Sequence, residues 1–131
     1  MAALQRILYV EDDPDIREVA AIALEVVGGY QLKACDSGHV ALQAIESFDP
    51  DLLLLDVMMP EMDGPETLQA LRDKGLLAEH VPVVFMTAKV HPEEIARYRE
   101  LGAFDVISKP FDPMNLAKEV GSIWERFRER E

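Results

Sequence analysis

Cysteine is nearly absent from this 131-residue chain. Cys35 stands alone, which rules out an intramolecular disulfide and a CxxC metal site. Long apolar runs are missing too, and the longest are far too short to cross a bilayer. The start, Met1 to Arg6, lacks the apolar stretch of a signal peptide. Positive charge is scarce: 13 Lys and Arg stand against 25 Asp and Glu, a net charge of −12. Nucleic acid and anionic membrane surfaces both reward basic patches, so neither is expected as a direct partner. A divalent cation or a basic partner surface stays compatible. There is no internal repeat, linker or low-complexity segment. With 49% hydrophobic residues the chain has enough apolar side chain for a core. A soluble cytoplasmic protein of one domain, residues 1–131, is expected, with a core over about 6–127 and a charged tail at 128–131.

The apolar pattern alternates between two periods. Ile7–Val10 reads as a first strand, and Pro14 with Asp15 opens a helix whose Ile16, Val19, Ala20, Ala23, Leu24 and Val27 share a face. Gly28-Gly29 ends that helix. Tyr30–Cys35 alternates as a strand does. Ser37 is placed to cap a second helix carrying Val40, Ala41, Ala44, Ile45 and Phe48. Leu52 to Leu55, four leucines in a row, reads as a strand buried on both faces. Leu68 and Leu71 mark a third helix, Val81–Thr87 a fourth strand, and Pro92 starts a helix that stops near Gly102. Asp105–Ser108 is a short fifth strand, and a last helix opens at Pro113 and carries Leu116, Val120, Ile123, Trp124 and Phe127. Five alternations of strand and helix predict an α/β fold: a parallel sheet, doubly wound, with right-handed crossovers.

In such a sheet all strand C-termini lie along one edge, where ligands bind. That edge collects Glu11, Asp12 and Asp13 from strand one, Asp56 from strand three, Thr87 from strand four and Lys109 from the end of strand five. Asp56 there could be a metal ligand, a general base or a nucleophile. Acid-rich strand ends are common because loops are polar; four such features on one edge are not. Oxygen-only ligation by a few carboxylates suits Mg²⁺. Lys109 adds a fixed positive charge and Thr87 a neutral donor, a set that suits phosphoryl transfer with Asp56 as nucleophile. His39, His80 and His91 are scattered and expected at the surface.

Taken in order, Ile7-Leu8-Tyr9-Val10-Glu11-Asp12-Asp13, Leu52 to Pro60, Met62-Asp63-Gly64, Met86-Thr87-Ala88, Gly102-Ala103 and Lys109-Pro110-Phe111 make the chain resemble a receiver domain of bacterial two-component response regulators. The resemblance covers Ile7 to about Phe127. It implies the flavodoxin-like receiver fold with strand order 2-1-3-4-5. It also implies that Asp56 is the phosphoacceptor, with Mg²⁺ (or Mn²⁺) as cofactor, bound by Asp12, Asp56 and the backbone carbonyl of Met58, and by Glu11 through water. Thr87 would be the switch hydroxyl and Lys109 its partner at the phosphoryl group, on a cis Lys109–Pro110 bond. Gly64 would serve the turn before the third helix. Two positions depart from the family. Val106 stands three residues before the lysine, where the family carries Tyr or Phe, and Phe104 lies two places earlier. Glu119 stands where many DNA-binding relatives have an arginine used in dimerisation.

The implied partners are a histidine kinase or histidine phosphotransfer protein, and an output protein or missing effector domain that reads a face including Thr87, Val106 and Phe104. The state implied is a monomer or a weak dimer through helix four, strand five and helix five. Such a module catalyses its own phosphorylation and dephosphorylation and is not a turnover enzyme. A dehalogenase-like phosphatase would want an acid where Met58 stands. A flavodoxin-like FMN carrier would want a Ser/Thr/Gly-rich loop where Glu11 to Asp13 stand. A scaffold that has lost phosphorylation would not need the full acid set.

Overall fold

Pro82, with no N–H to donate, sets where the fourth strand can begin: pairing starts at Val83, two residues later than its apolar run suggests. The computed structural model describes residues 3–130. The elements are β1 (Arg6–Val10), α1 (Pro14–Ile22, continued by a π-helical turn over Ala23–Val27), β2 (Gln31–Cys35), α2 (Gly38–Phe48), β3 (Leu52–Asp56), α3 (Gly64–Asp73), β4 (Val83–Thr87), α4 (Pro92–Glu100), β5 (Asp105–Ser108) and α5 (Leu116–Glu129). All strand pairs are parallel, in the order β2-β1-β3-β4-β5. The expected α/β architecture and strand order are those observed.

The leucine run explains itself in this frame. Side chains alternate across a strand, so Leu52 and Leu54 enter one core with Ala20 and Leu24 of α1 and Val120 and Ile123 of α5. Leu53 and Leu55 enter the other, with Ala41 and Ile45 of α2, Leu68 and Leu71 of α3 and Tyr98 of α4. A strand with helices on both faces has no polar side. β3 is accordingly buried at every position, and its last residue is Asp56.

Local chemistry sets the helix starts. Asp13 accepts from the N–H groups of Asp15 and Ile16, Ser37 caps α2, and Asp63 with Glu66 forms a capping box on α3. The first helix stops at Gly28-Gly29, as its pattern predicts, while the start and end of the last helix differ from theirs. α5 starts at Leu116 rather than Pro113, because the Asp112 carboxylate accepts from Met114 N–H and its carbonyl from Asn115 and Leu116, closing a separate turn. α1 ends in a π turn, in which Gly28 N–H donates to the carbonyl of Ala23, five residues back. Gly28 lies close against α5, since a Cβ there would sit 2.8 Å from Ala117 Cβ. The mixed-charge end is helical through Glu129, with Phe127 buried and the Arg130 guanidinium 4.1 Å from its ring. Glu131 lies outside the described residues. Among those residues, no helix is long and apolar enough to cross a membrane.

Gly64 is held by close backbone approach. A Cβ there would fall 2.6 Å from the Asp56 carbonyl oxygen and 2.9 Å from Val57 Cα. Backbone cannot yield as a side chain would, so Gly64→Ala is expected to cost about 1–3 kcal/mol. The urea midpoint of the variant checks this.

Candidate functional site

β1, β3, β4 and β5 end together, and their last residues or the ones just beyond build a single acidic cleft. Glu11 follows β1 and is 1% exposed; Asp56 ends β3 and is 2% exposed. Asp12 is half-buried beside them. Carboxylate oxygens of Glu11, Asp12 and Asp56 lie within 4.8 Å of one another. Lys109 crosses from the loop after β5, and its Nζ donates to Glu11 Oε1 at 2.9 Å and to Asp56 Oδ1 at 3.1 Å. The Lys109 N–H donates to the Thr87 carbonyl at 2.9 Å, which fixes the root of that side chain to β4. The Lys109–Pro110 peptide is cis, as expected.

Crowding shows in the acid–base properties. Burial, then the charge of Glu11, pushes the Asp56 carboxyl up to about 7, against the hydrogen bond and charge of Lys109, which pull it down. Burial alone would lower the Lys109 ammonium, but its bonds to Glu11 and Asp56 outweigh that and raise it. The lysine is therefore firmly charged, while the carboxylates remain in excess by charge. Hard oxygen donors in excess over one ammonium suit a hard divalent cation.

Thr87 is buried, and its Oγ accepts from the Lys89 N–H at 3.0 Å, leaving its own hydroxyl proton free to be donated. Met58, two residues past Asp56, is 65% exposed at the mouth. Asp13 is not part of the cluster; it caps α1, and its N–H donates to Glu11 Oε2 at 3.2 Å. The three histidines are exposed. Val106 packs with the α2–α4 core, opposite Phe85 of β4, whereas Phe104 packs with the α1–α5 core, its ring edge-on to Phe127 at 5.1 Å. Phe104 precedes the regular strand, so the alternation that would place both on one side does not reach it. Glu119 faces Asp105, whose charge, after burial, raises it; Asp105 itself pairs with Arg99 of α4 at 3.3 Å and Arg126 of α5 at 2.7 Å.

Two contributors escape the sequence reading. Arg17 on α1 donates from Nη1 to the carbonyls of Glu11 (2.9 Å) and Asp12 (3.4 Å), tying down the acidic loop. Only its position one turn after the Asp13 cap could have suggested this. Beside Lys109 lies an apolar cleft of about 420 Å³, lined by Ile16, Val19, Ala88, Pro110, Phe111 and Pro113 among others.

The raised Asp56 carboxyl makes a signed prediction. An acid whose folded-state pKa lies above its ordinary value penalises the fold when ionised: the penalty is absent below about pH 4, grows between 4 and 7, and is complete above 7. Asp56→Asn is expected to stabilise the metal-free protein by about 1–2 kcal/mol at pH 8, allowing for screening at the cleft mouth. That advantage should vanish toward pH 4. Denaturant midpoints of both proteins across this range check it.

Residues 7–121 match the response regulator receiver domain family. Among curated proteins, the chain is 40% identical over 104 residues to a probable cyclic di-GMP phosphodiesterase of Vibrio cholerae, covering 79% of this chain and 23% of that protein. It is 39% identical over 117 residues to the DNA-binding response regulator MtrA of Mycolicibacterium smegmatis, covering 88% and 49%. The chain thus spans between about a quarter and a half of these relatives. Among solved structures, the chemotaxis protein CheY4 of Vibrio cholerae superposes with a TM-score of 0.82 at 28% identity, covering 92% of this chain and 99% of that one. A CheY-like receiver domain protein of Methanospirillum hungatei gives 0.79 at 28%, covering 95% and 98%. Order of strands, matched residues and these relatives agree: the chain belongs to the response regulator receiver domain family of two-component signalling, with the CheY-like flavodoxin-type fold.

Proposed function

We propose that this protein accepts a phosphoryl group on Asp56 from a histidine kinase or histidine phosphotransfer protein, and that this shifts a partner-binding face. The observation that carries the reading is the Asp56 carboxylate itself: 2% exposed, crowded by Glu11 and Asp12, and bonded to Lys109 at the functional edge of the sheet.

In the proposed step an Asp56 oxygen attacks the phosphorus of a phosphohistidine. The new O–P bond forms as the P–N bond breaks, and the electron pair leaves with the imidazole, which takes up a proton. Mg²⁺ fits the donor set; when bound it offsets the negative charge of carboxylates and phosphoryl oxygens. Asp12, Asp56 and the Met58 carbonyl would hold it, with Glu11 reaching it through water. Lys109 supplies a second fixed charge to the incoming oxygens. Loss of the group follows when water attacks phosphorus and releases phosphate, returning the Asp56 carboxylate. Self-catalysed gain and loss of one group is not turnover of a substrate.

The Thr87 hydroxyl proton is free to be donated to a phosphoryl oxygen, and only one arrangement of the β4–α4 loop delivers both it and Lys109. Phosphorylation then biases a two-state loop. With Val106 lacking a ring and Phe104 on the other face, the change reaches α4, β5 and α5 without an aromatic rotamer swing. The apolar cleft beside Lys109 is open to a donor's apolar side chains. The chain acts as one receiver unit in the cytoplasm, as a monomer or weak dimer through α4, β5 and α5. Its output is a separate protein or an effector module.

Incubation with a small acyl phosphate and Mg²⁺, read by intact mass, tests this. Wild type is expected to gain one phosphoryl group and to lose it again. Asp56→Asn should gain none, and Lys109→Ala should react at least ~100-fold more slowly, as expected for loss of a buried transition-state charge. Unmodified wild type would favour a scaffold.

A further inference from the structure

Among the described residues, two buried side-chain polar atoms have no hydrogen-bond partner: Trp124 Nε1 and Tyr9 Oη. Tyr9 is 0% exposed and lies on β1, two residues before Glu11. Ile7 and Tyr9 point into the α1–α5 core, Leu8 and Val10 into the opposite one. Pairing with β2 continues past the strand's end, since the Glu11 N–H donates to the Cys35 carbonyl at 3.0 Å. Asp56 follows Leu52 and Leu54 on the face of β3 that lies in the α1–α5 core, and Lys109 bonds Glu11 and Asp56 together, so the Glu11 carboxylate lies on the face that holds Tyr9. The phenol hydroxyl is a hydrogen-bond donor. A buried hydroxyl without an acceptor weakens the fold that contains it.

Glu11 has the complementary need. Its Oε1 takes the Lys109 ammonium at 2.9 Å and its Oε2 takes the Asp13 N–H at 3.2 Å. If Lys109 turns to a phosphoryl group on Asp56, a carboxylate only 1% exposed loses its charged donor. A carboxylate has acceptor positions to spare, and the orphaned phenol is the donor on its side of the strand.

We propose that Tyr9 is a positioning residue whose hydroxyl takes over Glu11, directly or through one buried water, when Lys109 moves to the phosphoryl group. The hydroxyl then favours the phosphorylated arrangement and burdens the resting one. This rests on the phosphoacceptor reading of Asp56.

Tyr9→Phe removes the hydroxyl and nothing else, and the proposal gives its two effects opposite signs. Thermal melting of the resting protein is compared with titration by beryllofluoride in Mg²⁺, a phosphoryl stand-in. The expected variant melts at or above the wild-type temperature at rest, yet binds beryllofluoride about five- to tenfold more weakly, the size of one lost buried hydrogen bond. Equal beryllofluoride affinity overturns the role of Tyr9, and so does a lower resting melting temperature. A wild-type protein that takes no beryllofluoride overturns the phosphoacceptor reading and this proposal together. Wild-type binding matched by the variant overturns this proposal alone.

Discussion

The Lys109 ammonium, held between Glu11 Oε1 and Asp56 Oδ1, is the interaction on which the rest of the site depends. Two carboxylates almost without solvent repel one another, and a positive charge sharing their space offsets that repulsion. One lysine is enough to hold the cluster together and too little to neutralise it, because Asp12 adds a third acid within 4.8 Å. The resting site is thus biased toward cations and toward anything that spreads its negative charge.

The fold supplies the means to sustain this arrangement. β3 is apolar on both faces up to its last residue, so Asp56 is carried to the sheet edge by a strand that cannot slip inward without burying a carboxylate among leucines. Gly64 brings the start of α3 against the Asp56 backbone, and its N–H donates to the Val57 carbonyl at 2.9 Å. Asp13 caps α1 while Arg17, from the same helix, holds the carbonyls of Glu11 and Asp12. β4 receives the Lys109 N–H through the Thr87 carbonyl, so the residue that would sense a phosphoryl group and the lysine that would bind it share one backbone contact.

The parts of this legible in the sequence are those with a local rule behind them. Alternating periods marked all five strands and all five helices. Four consecutive leucines marked the central strand, Ser37 its neighbour's cap, and the strand-end acids with Lys109 the site. Boundaries were misplaced where a side chain or a ring competed with periodicity: Pro82 delayed β4, and Asp112 made its own turn before α5. The stop of the first helix at Gly28-Gly29 was legible, and the π turn just before it was not. Val106 and Phe104 look interchangeable at a spacing of two, but strand alternation holds only inside the strand, and Phe104 lies outside it. Arg17 and the orphaned hydroxyl of Tyr9 were not legible because their roles are set by contacts across the fold and not by any spacing along the chain.

Burial and the charge of Glu11 hold Asp56 in an electrostatically strained position, which a divalent cation in the cleft would relieve. The ¹³C chemical shift of its side-chain carboxyl, followed against pH with and without saturating Mg²⁺, tests this most directly. The expected midpoint lies near 7 without the ion and roughly 2 units or more lower with it, as an adjacent divalent charge requires. A midpoint near the ordinary value of about 4 in both conditions would contradict it.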